Sequence, residues 1–298
     1  MDECGRRDLN PSYKLGKPDF LGENRVITKN DFKKYLARRE IQGLTKQWLS
    51  QCNSWLVDYL NFVKWNIDED KTLEYCKHLN NNMSLVYYKK HIYQIRRFLE
   101  YLKVDWASTI KLPPDPEYLP KRISELTIQK TLSYFEQHEY YNQIKSIILL
   151  GASSGMRAKE LYQLKLGDID LNNRTVYINH KPELEQSTKT RKSRVSFFTK
   201  RAEIALSEFL DCFNNCSNLK NLFTQSHITR IFKTSDLKVK DLRKFFSQEW
   251  DRLGGATSIK KILMGHSFKS DVDLMHYNCQ SQEDLKRIYD RVMNDNIL

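Results

Sequence analysis

Four of the chain's seven prolines, Pro113, Pro114, Pro116 and Pro120, fall within eight residues. Proline fixes φ, lacks an amide donor and pushes the preceding residue out of the helical region, so this stretch runs extended and no helix crosses it. The chain is therefore read as two folding units joined by a proline-rich linker at residues 111–120. Its 298 residues, 40% hydrophobic and 12% aromatic, suffice for two cores and are too apolar for a disordered chain.

Upstream of the linker, Leu85, Tyr88, Ile92, Ile95, Leu99 and Leu102 recur at alternating steps of three and four, the stripe of a long amphipathic helix over Ser84 to Val104. Its other faces carry Lys89, Lys90, Arg96, Arg97 and Lys103. Lys29 to Arg39, Thr45 to Val63 and Asp70 to Leu79 read as three more helices. Residues 26–110 are thus expected to form a small helical bundle, preceded by a flexible tail at residues 1–25.

Residues 121–298 read differently. Helical patterns at Thr127 to Glu139, Tyr141 to Leu150 and Arg157 to Leu164 give way to two β-rich runs, Thr175 to Asn179 and Ser193 to Phe198. A long, lysine-rich connection joins these runs. Helical patterns return at Arg201 to Phe213, Lys240 to Leu253, Ser258 to Met264 and Gln282 to Met293. The expected fold is mainly α with one small antiparallel β-sheet.

Lys and Arg number 49 against 37 Asp and Glu, and the resulting net charge of +12 favours polyanionic partners, nucleic acid ahead of an anionic membrane. No apolar run approaches the roughly 20 residues that span a bilayer, and Met1 to Pro18 lacks a signal-like apolar core. A cytoplasmic protein without a membrane partner is expected. The six cysteines form no Cys-x-x-Cys pair. Cys212 and Cys216 share a helical face near His227, but ordinary thiols explain them better than a metal site.

Four segments carry chemistry. In GASSGMRAKEL, Gly151 to Leu161, Gly155 permits a tight turn and Arg157 heads a helix with Glu160 three residues on, close enough to orient it. A guanidinium so held suits a phosphate, although the same pair also serves as a plain ion pair. In EQSTKTRKSRVSFF, Glu185 to Phe198, Lys189, Arg191, Lys192 and Arg194 crowd a hairpin, placed beside DNA or merely solvated. In KVKDLRKFF, Lys240 and Arg243 share a helical face while Leu242, Phe245 and Phe246 anchor the other. In ILMGHSFKSDVDLMHY, an apolar helix ends at Gly265 and places His266 just past it, eleven residues before Tyr277.

The ordered set Arg-x-x-Glu, hairpin Lys, Lys-x-x-Arg, Gly-His and a late Tyr resembles the catalytic domain of the tyrosine recombinase (phage integrase) family, over about Lys121 to Leu298. The resemblance implies a helical DNA core-binding domain followed by a catalytic domain, with Tyr277 as nucleophile and Arg157, Lys189, Arg243 and His266 around the phosphate. Lys240 stands where most members have His, which is similar to integrases of archaeal viruses and plasmids. The gap from His266 to Tyr277 is about two residues longer than the common spacing. That leaves attack in cis or in trans open. Tyr289, the rival nucleophile, falls in the pattern Leu285, Ile288, Val292 of a terminal helix.

The activity so implied is DNA cleavage and rejoining through a 3′-phosphotyrosyl link, as in recombination and integration of mobile or viral elements, with no cofactor. The absence of a Walker A motif and of a compelling carboxylate cluster agrees with ATP and metal independence. Arg157 and Arg243 would neutralise the phosphate, and Lys189 would protonate the departing 5′-hydroxyl. Lys240 and His266 would add hydrogen bonds or take the tyrosine proton. Glu160 would orient Arg157. Lys89, Lys90, Arg96, Arg97, Arg191, Lys192 and Arg194 would grip DNA from both domains. The resemblance further implies double-stranded attachment sites as partners and a homotetramer on DNA, with a monomer allowed in free solution. A type IB topoisomerase-like enzyme and a catalytically silent DNA-binding protein are the alternatives.

Overall fold

The computed structural model describes residues 25–115, 117–213, 221–267 and 280–293, so Tyr277 and the N-terminal tail lie outside the described residues. The chain divides into two compact units, Met1–Tyr118 and Leu119–Leu298.

The first unit holds α1 (Lys29–Ile41), α2 (Lys46–Phe62), α3 (Glu69–Asn82) and α4 (Leu85–Tyr101). Each of the first three begins where a side chain takes up a free backbone amide: Thr28 from Asp31, Thr45 from Trp48 and Asp68 from Lys71. Two short strands, β1 (Arg25–Val26) and β2 (Asn66–Ile67), pair antiparallel, a ladder that the sequence reading did not foresee. The core is Leu56, Tyr59 and Leu60 of α2 against Ile92, Ile95, Phe98 and Leu99 of α4, all sealed from solvent. The α4 stripe is buried as expected from Ile92 onward, but Leu85 is exposed, because the first turn of the helix lies beyond the core.

The second unit winds round α6 (Tyr141–Ser154), which is buried along nearly its whole length. Around it lie α5 (Glu125–Tyr134), α7 (Ala158–Tyr162), α8 (Lys200–Phe213), α9 (Gln225–Ile231), α10 (Val239–Arg252), α11 (Thr257–Met264) and α12 (Gln282–Val292). Helix α10 packs tightly on α6 at Gly151, where an added Cβ would fall 2.7 Å from Leu242 Cδ1. Helix α6 runs four residues past the expected Leu150. The Ser153 and Ser154 hydroxyls donate back to the Leu149 and Leu150 carbonyls, and Gly155 at φ +64° then ends the helix. By contrast α5 stops at Tyr134, short of the expected Glu139.

The sheet has three antiparallel strands in the order β3 (Ile169–Asp170), β4 (Thr175–Ile178) and β5 (Arg194–Phe197). In the register, Ile169 faces Val176, Thr175 faces Phe197 and Ile178 faces Arg194. The sequence reading located β4 and β5 but missed β3 and α9, both too short to show a period. The chain adopts a mainly helical fold, with the expected small antiparallel sheet in the second unit and a two-stranded ladder besides in the first.

Candidate active site

Two left-handed glycines set the site. At Gly155 a side chain is doubly excluded, by φ +64° and by the Phe246 ring, whose Cδ1 would lie 2.4 Å from an added Cβ. The turn delivers Arg157 to the head of α7, where the Glu160 carboxylate reaches back: Oε2 accepts from the Arg157 backbone N–H at 2.8 Å and Oε1 from its Nη1 at 2.9 Å. Arg194, at the start of β5, donates to the same carboxylate through Nη2 (2.7 Å) and Nη1 (3.1 Å).

The second glycine, Gly265 at φ +65°, ends α11 with the N–H of His266 donating to Lys261 O at 3.0 Å and that of Gly265 to Ile262 O at 3.0 Å. This double closure leaves the next three carbonyls without intrahelical donors. Each accepts from a different arginine: Leu263 O from Arg194 Nε (2.8 Å), Met264 O from Arg243 Nη1 (2.8 Å) and Gly265 O from Arg157 Nη2 (3.0 Å). Arg243 Nη1 also donates to Gly155 O at 2.7 Å, tying both turns to one guanidinium. The negative end of the α11 dipole thus faces three cations.

Three guanidiniums face one carboxylate, and the electrostatics register the excess. Burial, and then the Arg157 charge, push the Arg243 pKa down to about 9, Glu160 opposing and Arg194 adding to the fall. The group stays cationic at neutral pH but, among the described residues, makes no ion pair of its own. Burial alone would raise the Glu160 carboxyl. The hydrogen bonds and charge of Arg194, with the bonds from Arg157, outweigh it and hold the group below its usual range. Partial burial lowers the His266 imidazole, helped by Arg243, Arg157, Lys260 and Arg194. Such a site favours an added anion, and the donors are present: Nε and Nη2 of Arg243 have no protein acceptor among the described residues.

Of the residues singled out in the sequence, Arg157, Glu160, Arg243 and His266 are brought together. Lys240 stands exposed one turn before Arg243 on α10. Lys189 is exposed in the turn 188–191 of the β4–β5 connection, with Arg191 and Lys192 exposed beside it. Tyr277 lies outside the described residues. Tyr289 is sealed in the core with its hydroxyl donating to Ser153 O at 2.9 Å, so it has no path to a phosphate.

Arg194 is a correction. Expected as a DNA contact with its hairpin neighbours, it instead turns inward, its side chain 9% exposed and its guanidinium spent on Glu160 and Leu263. The available signal was the strand period: Arg194 shares a face with Ser196, whose hydroxyl donates to Ser154 O at 2.7 Å. In the first unit, Lys89 pairs with Asp115, Arg96 with Glu100 and Arg97 with the Tyr93 ring, while Lys90 lies over Tyr87.

A model of the phage integrase family matches residues 121–277, more than half of the chain. The chain belongs to the phage integrase family. Among curated relatives of this integrase-family chain is the tyrosine recombinase XerA of Saccharolobus solfataricus, 29% identical over 123 residues. That match spans 40% of the chain and 37% of the relative's length. Two solved structures share the fold. The Tn1549 transposon integrase in complex with a circular intermediate DNA gives a TM-score of 0.61 at 10% identity, over 88% of this chain and 98% of that one. The lambda integrase tetramer bound to a Holliday junction gives 0.60 at 12% identity, over 81% and 78%. Among the described residues of this integrase-family chain, no helix is long and apolar enough to cross a membrane.

Proposed function

We propose that the protein is a site-specific DNA recombinase, an integrase that cleaves and rejoins double-stranded DNA through a 3′-phosphotyrosyl intermediate. One observation supports this above the others: Arg157 and Arg243, far apart in the chain, donate to the adjacent carbonyls of Gly265 and Met264. Two forks so placed suit a single phosphodiester, whose negative charge grows as a fifth oxygen approaches phosphorus.

In this reading Tyr277 supplies that oxygen. The P–O5′ bond breaks as the P–O(Tyr) bond forms, and Lys189 gives a proton to the departing 5′-oxygen. His266, with its pKa lowered, is neutral at pH 7 and free to accept the phenol proton. Lys240 adds a hydrogen bond from the exposed side. The phosphodiester's energy is kept in the tyrosyl link, so a second strand's 5′-hydroxyl reverses the step without ATP. Lys89, Lys90, Arg96, Arg97, Arg191 and Lys192 provide cations for the DNA backbone. Rejoining two duplexes requires a cut in every strand, which fits a homotetramer on the attachment sites of a mobile element, assembled from a free monomer.

The test is covalent trapping. Suicide DNA nicked beside the scissile phosphate, so that the cleaved strand diffuses away, should accumulate a protein–DNA adduct with the wild type and none with Tyr277→Phe. Absence of a wild-type adduct, or an adduct that survives Tyr277→Phe, would overturn the reading.

A further inference from the structure

We infer that Asp168 is a positioning residue for Lys189, acting through Gln186 and the neighbouring hairpin residues to hold that lysine in place for proton transfer. Asp168 is buried, and among the described residues it makes no ion pair. Its carboxylate is satisfied by neutral donors alone: Oδ2 accepts from the Lys165 N–H (2.9 Å) and from Gln186 Nε2 (2.6 Å), and Oδ1 from Asn179 Nδ2 (2.7 Å). A buried carboxylate without a cation is costly to leave unbonded, so these donors are held as firmly as they hold it.

Two of the donors belong to the β4–β5 connection, residues 179–193, whose tip carries Lys189. A connection of this length loses conformational entropy when its tip is fixed, so a fixed tip needs fastenings. The first lies at Gln186. It exchanges backbone hydrogen bonds with Lys181 at 2.8 and 3.1 Å, and its side chain bridges Asp168 to Gln163 O (3.2 Å). Next, the Ser187 N–H donates to Gln163 Oε1 at 2.9 Å. The Thr188 N–H then donates to His180 Nδ1 at 3.1 Å, and the Thr188 hydroxyl donates to Lys192 O at 3.0 Å while accepting the Lys192 N–H at 3.1 Å. Lys189 follows directly, in a turn closed by the Arg191 N–H on Thr188 O at 3.2 Å.

The anchors that reach outside the connection, on Gln163 and Asp168, trace to one short piece of chain. Arg157, Glu160, Gln163 and Asp168 lie within residues 157–168, so one frame fixes both a phosphate-binding guanidinium and the loop of the proton donor. Asp168 carries no sequence signal of this role, because aspartate is common in turns and its partners Asn179 and Gln186 lie 11 and 18 residues away.

This inference rests on Lys189 being the general acid, and the test separates the two claims. A scissile phosphate whose 5′-bridging oxygen is replaced by sulfur expels a thiolate, which leaves without protonation because a thiol pKa of about 8.5 lies far below that of an alcohol. Single-turnover cleavage of the oxygen and sulfur substrates is measured for wild type, Lys189→Ala, Asp168→Asn and Gln186→Leu, with DNA affinity alongside. Lys189→Ala should lose about 10²–10⁴-fold on oxygen and return near the wild-type rate on sulfur. Asp168→Asn and Gln186→Leu should show the same pattern, with a loss of about tenfold or more on oxygen, a recovery on sulfur and an unchanged affinity. Gln186→Leu carries the test should Asp168→Asn fail to fold. Equal loss on both substrates for Lys189→Ala would remove the general-acid reading. Recovery of Lys189→Ala, with the other two variants either equally slow on both substrates or as fast as wild type on oxygen, would remove the positioning role.

Discussion

Glu160 and His266 are both held below their ordinary pKa, Glu160 kept ionised by Arg194 and Arg157 against its burial, and His266 kept neutral by burial first and the neighbouring arginines next. Both place their stabilising contribution on the alkaline side. Glu160, with its pKa below the ordinary 4.5, contributes above that value, and the contribution is lost as pH falls through the folded pKa. His266 binds its proton more readily unfolded than folded, so stability begins to fall once pH drops below 6.5. If neutral His266 accepts the tyrosine proton, single-turnover cleavage should hold level from mildly alkaline pH to below 6.5 and then decline. His266→Gln should lower the plateau and remove that decline; an unaltered acidic limb in the variant would contradict the assignment. At this scale the Arg157–Glu160 pair was legible because three residues on a helix set its geometry. Arg194 was not, because its partners lie 34 and 69 residues away. Removing one member of a buried pair such as Arg194–Glu160 typically costs about 3–5 kcal/mol, which marks it as framework rather than DNA contact.

Helix α11 shows how much one element end can organise. Its closing glycine is required twice, by φ +65° and by Arg194, whose Cδ, Nε and Nη1 would each lie 2.8 Å from an added Cβ. Gly265→Ala should therefore do more than strain the backbone by about 1 kcal/mol. It should also displace Arg194 from Glu160, giving a lower denaturation midpoint in urea at unchanged slope, together with slower cleavage. A midpoint within error of wild type would show that the close approach is not needed. The helices were legible wherever an apolar stripe met a capping residue or a glycine, as at α1, α6 and α11. Strand β3 and helix α9 carry too few residues to reveal a period, and the row of carbonyls at the end of α11 has no sequence signal at all, being made by the fold.

For the whole molecule, the proline cluster lies beside the boundary between the two compact units, and a net charge of +12 is what the composition offers in favour of a polyanionic partner. What composition could not show is how the positive charge is spent. Lys89, Arg96 and Lys145 are paired with surface carboxylates, whereas the cluster around Gly265 keeps three guanidiniums against one carboxylate. The central claim is that this uncompensated charge serves one scissile phosphate. It is tested most directly by cleavage of DNA carrying a methylphosphonate there, which removes the negative charge while leaving the leaving group unchanged. Arg243→Ala should lose about 10²–10³-fold on the ordinary phosphate and recover most of that loss on the methylphosphonate, since the charge to be neutralised is gone. An equal loss on both substrates would contradict the account.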